Sequence, residues 1–230
     1  MIDRLRNTRL FFIPYLCLFT LAMTFFFYQS HGKFVLWLNS LHNPIWNFFF
    51  KYWTHTGDVI FFTIITVGLI FWKRRFGIVL AAIGISVAAI SLFFKHVLFP
   101  EAQRPIIYFR GYEVLDFVDG VSILSQYSFP SGHSMAVFAL ATFIALMMQH
   151  SNYSMILLVA AVLTAISRVY LVQHFLIDIM AGSLIGIFTA ITFYMGFEKF
   201  LHGESNQKVN TPDEDLEEMN LEVEIDEEAS

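Results

Sequence analysis

The sequence predicts an all-α protein: a polytopic membrane helix bundle with six transmembrane helices, an interfacial amphipathic segment and a disordered acidic C-terminal tail. Three observations carry this expectation. Of the 230 residues, 57% are hydrophobic and 17% aromatic, more than an ordinary soluble domain holds. The apolar residues fall into runs close to the roughly 20 that cross a hydrocarbon core. The charge is also segregated: residues 1–202 carry 13 Lys and Arg against 8 Asp and Glu, whereas residues 203–230 carry 1 against 11. A basic membrane domain over 1–202 followed by an acidic tail over 203–230 is the expected organisation.

The first run, Leu10–Tyr28, is long enough to span and lacks a small-x-small cleavage site, so it reads as an anchor and not as a signal peptide. Cys17 lies inside it. A single cysteine excludes an intramolecular disulfide and a thiolate metal cluster. From Lys33 to Trp53 tryptophans, phenylalanines and leucines lie among polar residues, as in a segment lying in the membrane interface or packed as a loop on the bundle. Five more runs follow: Asp58–Trp72, Phe76–Phe94, Ser134–Met148, Ser154–Val172 and Ile179–Phe197. The second and fourth of the six are short and draw on their flanks.

Basic clusters near span ends favour the cytoplasmic side. Arg4, Arg6 and Arg9 precede the first span, and Lys73-Arg74-Arg75 separates the second from the third. Both termini are therefore expected in the cytoplasm, with the protein in a bacterial inner membrane. The ends of spans three and five and the starts of spans four and six then face the periplasm or cell exterior. The connection from Lys95 to Pro130 exceeds the length of an idle loop, and its aromatic residues argue for order. No nucleotide-binding glycine loop, nucleic-acid motif or internal repeat is present. The tail has too little apolar content to offset its ordering entropy, so it is expected to be disordered. Leu221, Val223 and Ile225 alternate within it and form a candidate docking stretch for an unidentified partner.

Ionisable residues at span ends are costly unless they are paired or functional. Here three clusters meet on the outward side. Lys95 closes span three, with Arg104-Pro105 beyond it; Ser131-Gly132-His133 opens span four; Arg168 closes span five, and His174 and Asp178 lead into span six. A turn that opens a helix presents free N–H groups and a positive dipole end, a natural seat for phosphate. Lys95, Arg104, Ser131, Gly132 and Arg168 together make a phosphate cradle. The spacing of His174 and Asp178 places both on one helical face, where the carboxylate orients the imidazole and raises its basicity. His174 is thus the expected nucleophile and His133, with no carboxylate near it in sequence, the general acid by elimination. Three nearby cations oppose a divalent metal, so neither metal nor other cofactor is expected.

These motifs resemble those of the type 2 phosphatidic acid phosphatase superfamily, which also includes vanadium haloperoxidases. Lys95…Arg104-Pro105, Pro130-Ser131-Gly132-His133 and Ser167-Arg168-x5-His174-x3-Asp178 correspond to its three signatures, and Thr56-Gly57-Asp58 is similar to a further recurrent feature without assigned chemistry. The resemblance implies phosphate binding by Lys95, Arg104, Ser131, Gly132 and Arg168. It also implies proton donation by His133 and a phosphohistidine on His174 supported by Asp178. The first motif departs from the pattern: eight residues separate Lys95 from Arg104 where the family usually has six. A membrane body favours the lipid phosphatase branch, acting on a phospholipid or polyprenyl phosphate: phosphatidate, phosphatidylglycerophosphate, undecaprenyl diphosphate or a lipid A phosphate. The alternatives are a lipid-linked phosphotransferase using the same site and a non-catalytic phospholipid-binding protein. Selection among lipids is expected to rest on Ile106 to Tyr127 and on Lys33 to Trp53.

Overall fold

A computed structural model describes residues 8–111, 115–148 and 151–202. The acidic tail and its candidate docking stretch lie outside the described residues, as do Arg4 and Arg6. Every regular element among the described residues is helical. In chain order these are α1 (Arg9–Tyr28), α2 (Lys33–Asn39), α3 (Pro44–Trp53), a 3₁₀ turn (Thr54–Gly57), α4 (Val59–Trp72), α5 (Arg74–Phe93), a π turn (Phe94–Leu98), α6 (Pro105–Tyr108), α7 (Gly132–Met148), α8 (Ser151–Tyr170), α9 (Leu176–Gly196) and the short α10 (Glu198–His202).

Each of the six apolar runs forms a helix: α1, α4, α5, α7, α8 and α9. Arg9–Tyr28, Arg74–Leu98, Asn152–Tyr170 and Leu176–Gly196 are long and apolar enough to cross a membrane. The two short runs remain short, with α4 at 14 residues and α7 at 17. α4 continues α3 and the 3₁₀ turn across a bend of 52°. The aromatic segment expected at the interface is therefore a pair of helices. α3 starts where Asn43 accepts the N–H groups of Ile45 and Trp46, both at 3.1 Å, with Pro44 in the first helical position, a cap that satisfies donors a helix start leaves free. Its inner face packs on α8, with the Phe50 and Tyr170 rings 4.5 Å apart.

α7 is the buried axis of the bundle, packed against α5, α8 and α9. Met135, Ala139 and Phe143 are fully buried, as expected of a helix apolar on all sides. Its closest partner is α9. A Cβ on Gly182 would sit 2.6 Å from the Ser131 carbonyl oxygen, and one on Gly186 would collide with the Met135 carbonyl. Two glycines one turn apart thus let the α7 and α9 backbones touch, and the start of α7 is seated on the start of α9.

The long connection after α5 is tied down at several points. Asn39 pairs with the backbone of Asp116 in both directions, donating to its O at 2.8 Å and accepting from its N at 3.0 Å. Lys51 donates to the Asp119 carbonyl at 2.6 Å, and Gln173 Nε2 to the Ser122 carbonyl at 2.9 Å. The two segments expected to select the lipid are therefore bonded to each other.

Candidate active site

The eight residues singled out in the sequence gather at one end of the bundle, delivered by the end of α5, the long loop, the start of α7, the end of α8 and the start of α9. His174 lies in the tight turn between α8 and α9. That turn closes with the Val172 N–H on Val169 O at 3.0 Å and the Gln173 N–H on Arg168 O at 2.9 Å, the pairing of a Schellman cap. The left-handed position in such a cap usually holds glycine, but here it is Val172, with φ 59°. A β-branched residue there costs roughly 1–2 kcal/mol. The buried surroundings of Val172 hold it in place, and the reversal turns His174 inward.

The two nitrogens of His174 have different neighbours. Nδ1 is 3.3 Å from Asp178 Oδ2, and Nε2 is 3.5 Å from Arg104 Nη1. Asp178 is itself fixed, since Oδ2 also accepts the Phe175 N–H at 2.9 Å and the Ser128 hydroxyl at 2.5 Å. The carboxylate thus selects the tautomer with hydrogen on Nδ1 and leaves a lone pair on Nε2. Burial pushes the His174 pKa well below its ordinary 6.5, and the charges of Arg104, Arg168 and Lys95 push the same way. The imidazole is neutral at physiological pH, the form a nucleophile requires.

Cations surround this nitrogen. Arg104 is buried, with Nε donating to Gln126 O at 2.8 Å and Nη1 to Gln173 O at 2.8 Å and Gln173 Oε1 at 3.2 Å. Burial lowers its pKa, and Asp178 opposes that shift. Arg168 donates from Nη1 to Thr54 Oγ1 at 2.7 Å, while its Nε is buried without a partner among the described residues. A buried, unpaired guanidinium N–H is costly, and an anion would satisfy it. Lys95 reaches the site from the π turn; its Nζ lies 3.8 Å from where a Cβ on Gly132 would stand. The wide turn closes from the Phe99 N–H to Phe94 O at 2.7 Å. A π turn holds one residue more than an α-helical one and so takes up part of the longer spacing to Arg104.

Ser131 Oγ accepts the Ser134 N–H at the start of α7 at 3.4 Å and the Ser134 hydroxyl at 3.1 Å, and the Ser131 N–H donates to Asp178 O at 3.1 Å. This last bond sets the Ser131-Gly132-His133 turn directly against the start of α9. His133 has a carboxylate partner that its sequence neighbours do not reveal. Its Nε2 lies 2.5 Å from Asp58 Oδ1. No carboxylate is near His133 in sequence, yet Asp58 stands against it as Asp178 stands against His174. The hydrogen bond from His133 is the largest influence on Asp58, whose pKa is lowered to about 2; burial opposes the shift and His55 adds to it.

The whole turn from Thr54 to Asp58 is built around this site. Thr54 holds Arg168, and Thr56 Oγ1 meets Thr164 Oγ1 at 2.6 Å. Gly57 lies so close that an added Cβ would be 3.0 Å from His133 Cβ and 2.9 Å from Thr164 Cγ2. Thr56-Gly57-Asp58 stood out in the sequence, but its destination beside His133 did not. His96 turns away, its ring 4.6 Å from that of Tyr127. Among the described residues, no group of three His, Cys, Asp or Glu side chains is placed to hold a metal ion.

The profile of the PAP2 superfamily matches residues 75–201, more than half of the chain. The chain belongs to the PAP2 superfamily. The matched region holds all three motifs, while the turn carrying Asp58 precedes it. The chain is similar to a lipid A 4'-phosphatase of Bacteroides thetaiotaomicron, 25% identical over 167 residues covering 70% of this chain and 73% of that one. Among solved structures it resembles LpxE of Aquifex aeolicus, with a TM-score of 0.62 and 22% identity over 72% of this chain and 94% of that one. It also resembles a transmembrane PAP2-type phosphatidylglycerolphosphate phosphatase of Bacillus subtilis, with a TM-score of 0.61 and 24% identity over 86% and 98%. The PAP2 membrane bundle is thus shared across these chains.

Proposed function

We propose that this PAP2 protein is a metal-independent lipid phosphatase that works through a phosphohistidine. The observation that carries the reading is the pairing of two histidines, each with its own carboxylate, across a buried cluster of cations: His174 with Asp178 and His133 with Asp58. Phosphoryl transfer is mainly a matter of positioning and charge stabilisation, and fixed cations and helix N–H groups supply both. Lys95, Arg104 and Arg168, with the Ser131 hydroxyl and Gly132 N–H, take the phosphoryl oxygens. His174 Nε2 attacks phosphorus, and the bond to the lipid oxygen breaks as His133 delivers a proton to it. Water then attacks phosphorus while passing a proton to His133, the phosphorus–nitrogen bond breaks with its electron pair returning to His174 Nε2, and phosphate is released.

Charge distribution supports an outward-facing site. α4 starts at the site and α5 returns to it, so the Lys73-Arg74-Arg75 junction lies a helix length away, about 21 Å for the 14 residues of α4. Basic residues at that end favour the cytoplasm, which supports a site on the periplasmic or outer side of an inner membrane. The curated relative makes a lipid A phosphate the first substrate to try.

Purified protein in detergent with chelator, given phosphatidate, phosphatidylglycerophosphate, undecaprenyl diphosphate and lipid A, tests the reading. Phosphate release from at least one of the four, abolished in His174→Ala, is expected. Release from none, or full release by the variant, overturns it.

A further inference from the structure

The mechanism uses Asp58 and His133 but leaves a third member of the cluster unused. His55 Nδ1 lies 2.5 Å from Asp58 Oδ2, while the other oxygen of the same carboxylate lies 2.5 Å from His133 Nε2. One carboxylate therefore holds two imidazoles. Side-chain exposure falls inward along the chain, from 65% at His55 to 30% at Asp58 and 26% at His133. Among the described residues the His55 side chain has no other hydrogen bond than the one to Asp58. Such an exposed contact adds little to stability, so fold maintenance is a poor account of a histidine at this position.

Its geometry offers a better one. A half-exposed carboxylate can rotate about Cβ–Cγ and trade a protein partner for water. Fixing Oδ2 removes that freedom and leaves Oδ1 aimed at His133. The backbone supports the arrangement: the Asp58 N–H donates to His55 O at 3.0 Å, closing the 3₁₀ turn that sets both side chains side by side. With Nε2 held by Asp58, the nitrogen of His133 left for substrate is Nδ1. The charges of Arg168 and Lys95 act against a proton on the same imidazole, and the Asp58 carboxylate acts for it.

We propose that His55 is a positioning residue for proton donation: it clamps Asp58 through Oδ2 so that Oδ1 retains the His133 Nε2–H and Nδ1–H points at the departing lipid oxygen. In that step the proton moves from His133 Nδ1 to the lipid oxygen as the phosphorus–oxygen bond breaks. The Nε2–H stays on Asp58, and the attacking water later restores the Nδ1 proton. This inference rests on the phosphatase reading above.

The test uses the full-length protein in detergent and whichever of the four lipids the native protein turns over fastest. His55→Ala is expected to lower kcat about tenfold, the size usual for loss of an orienting outer partner, with KM and melting temperature unchanged. His55→Asn keeps an amide N–H near the place of Nδ1 and is expected to recover most of the loss. In an Asp58→Asn background, His55→Ala is expected to add nothing, because it acts through Asp58. Native turnover in His55→Ala, a loss that multiplies with that of Asp58→Asn, or a loss that comes with a fallen melting temperature and no recovery in His55→Asn overturns the inference and leaves the phosphatase reading intact. Absence of turnover by the native protein on all four lipids overturns both.

Discussion

Asp58 Oδ1 and His133 Nε2 meet at 2.5 Å although α4, α5 and the whole of the long loop lie between them in the chain. The contact gives His133, the proposed acid, a carboxylate as Asp178 gives one to His174, the proposed nucleophile. An acid whose second nitrogen is hydrogen-bonded keeps its tautomer and direction, and general acid catalysis is worth about 10²–10⁴ in rate. Asp58→Asn is therefore expected to lower kcat by about 10²-fold while KM stays within a factor of three. Steady-state kinetics on the lipid of highest turnover checks this, and an unchanged kcat removes Asp58 from the mechanism.

The α7–α9 crossing carries a second prediction. Because a Cβ at Gly182 would lie 2.6 Å from the Ser131 carbonyl oxygen and 3.0 Å from Ser134 Cβ, Gly182→Ala must push the α7 start away from α9. Overpacking of this kind costs about 1–3 kcal/mol. The same displacement strains the bond from the Ser131 N–H to Asp178 O, so activity is expected to fall with stability. Gly68→Ala is the control, since nothing lies within 4 Å of an added Cβ there. Thermal unfolding in detergent and phosphate release, measured on both variants, separate the two cases.

These two contacts also mark where reading the sequence stops. Lys95, Arg104, Ser131, His133, Arg168, His174 and Asp178 could be grouped from the sequence because the expected spans and their alternation put them on one side, and charges at the ends of apolar runs are conspicuous. The His174–Asp178 pair was legible because four residues make one helical turn. Asp58 and His133 share no element, and a crossing angle that brings α4, α7 and α8 together leaves no periodic mark. Gly182 and Gly186 were hidden for the same reason: glycine in an apolar helix is common, and only the facing backbone shows why these two matter. The π turn after α5 was visible only as an anomalous spacing between Lys95 and Arg104.

Protonation of His174 makes stability depend on pH. Its folded pKa is depressed below the ordinary 6.5 by burial and by Arg104, Arg168 and Lys95. On acidification below 6.5 the unfolded chain takes up a proton that the folded protein refuses, so stability falls as pH falls, by at most about 1.4 kcal/mol per pH unit. Asp58 acts in the same direction but lower. Its pKa is lowered to about 2, so its contribution is intact above its ordinary 3.8 and is lost as pH drops through about 2. Between pH 4 and 6.5 the Asp58 contribution is constant, and the His174 share is read from a variant that lacks the imidazole. His174→Asn is expected to show a shallower decline in melting temperature than the native protein across that window, and equal slopes would mean that His174 is not held neutral.

Arg104 is committed to the fold as well as to the proposed phosphate cradle. Its Nε is bound to Gln126 O, its Nη1 to Gln173 O and Gln173 Oε1, and the same Nη1 stands 3.5 Å from His174 Nε2. A planar fork can join the loop at 126, the turn at 173 and an oxyanion at once, whereas an ammonium is a single point of charge. Arg104→Lys keeps the charge but leaves the carbonyls of Gln126 and Gln173 without their donors. Each buried acceptor so stranded costs about 1–3 kcal/mol. The variant is expected to lose both thermal stability and turnover, with kcat reduced by about 10²-fold or more, and to gain nothing from higher substrate concentration. Retention of native kcat with only a raised KM would show that Arg104 contributes charge alone, and that the fork into Gln126 and Gln173 is incidental to catalysis.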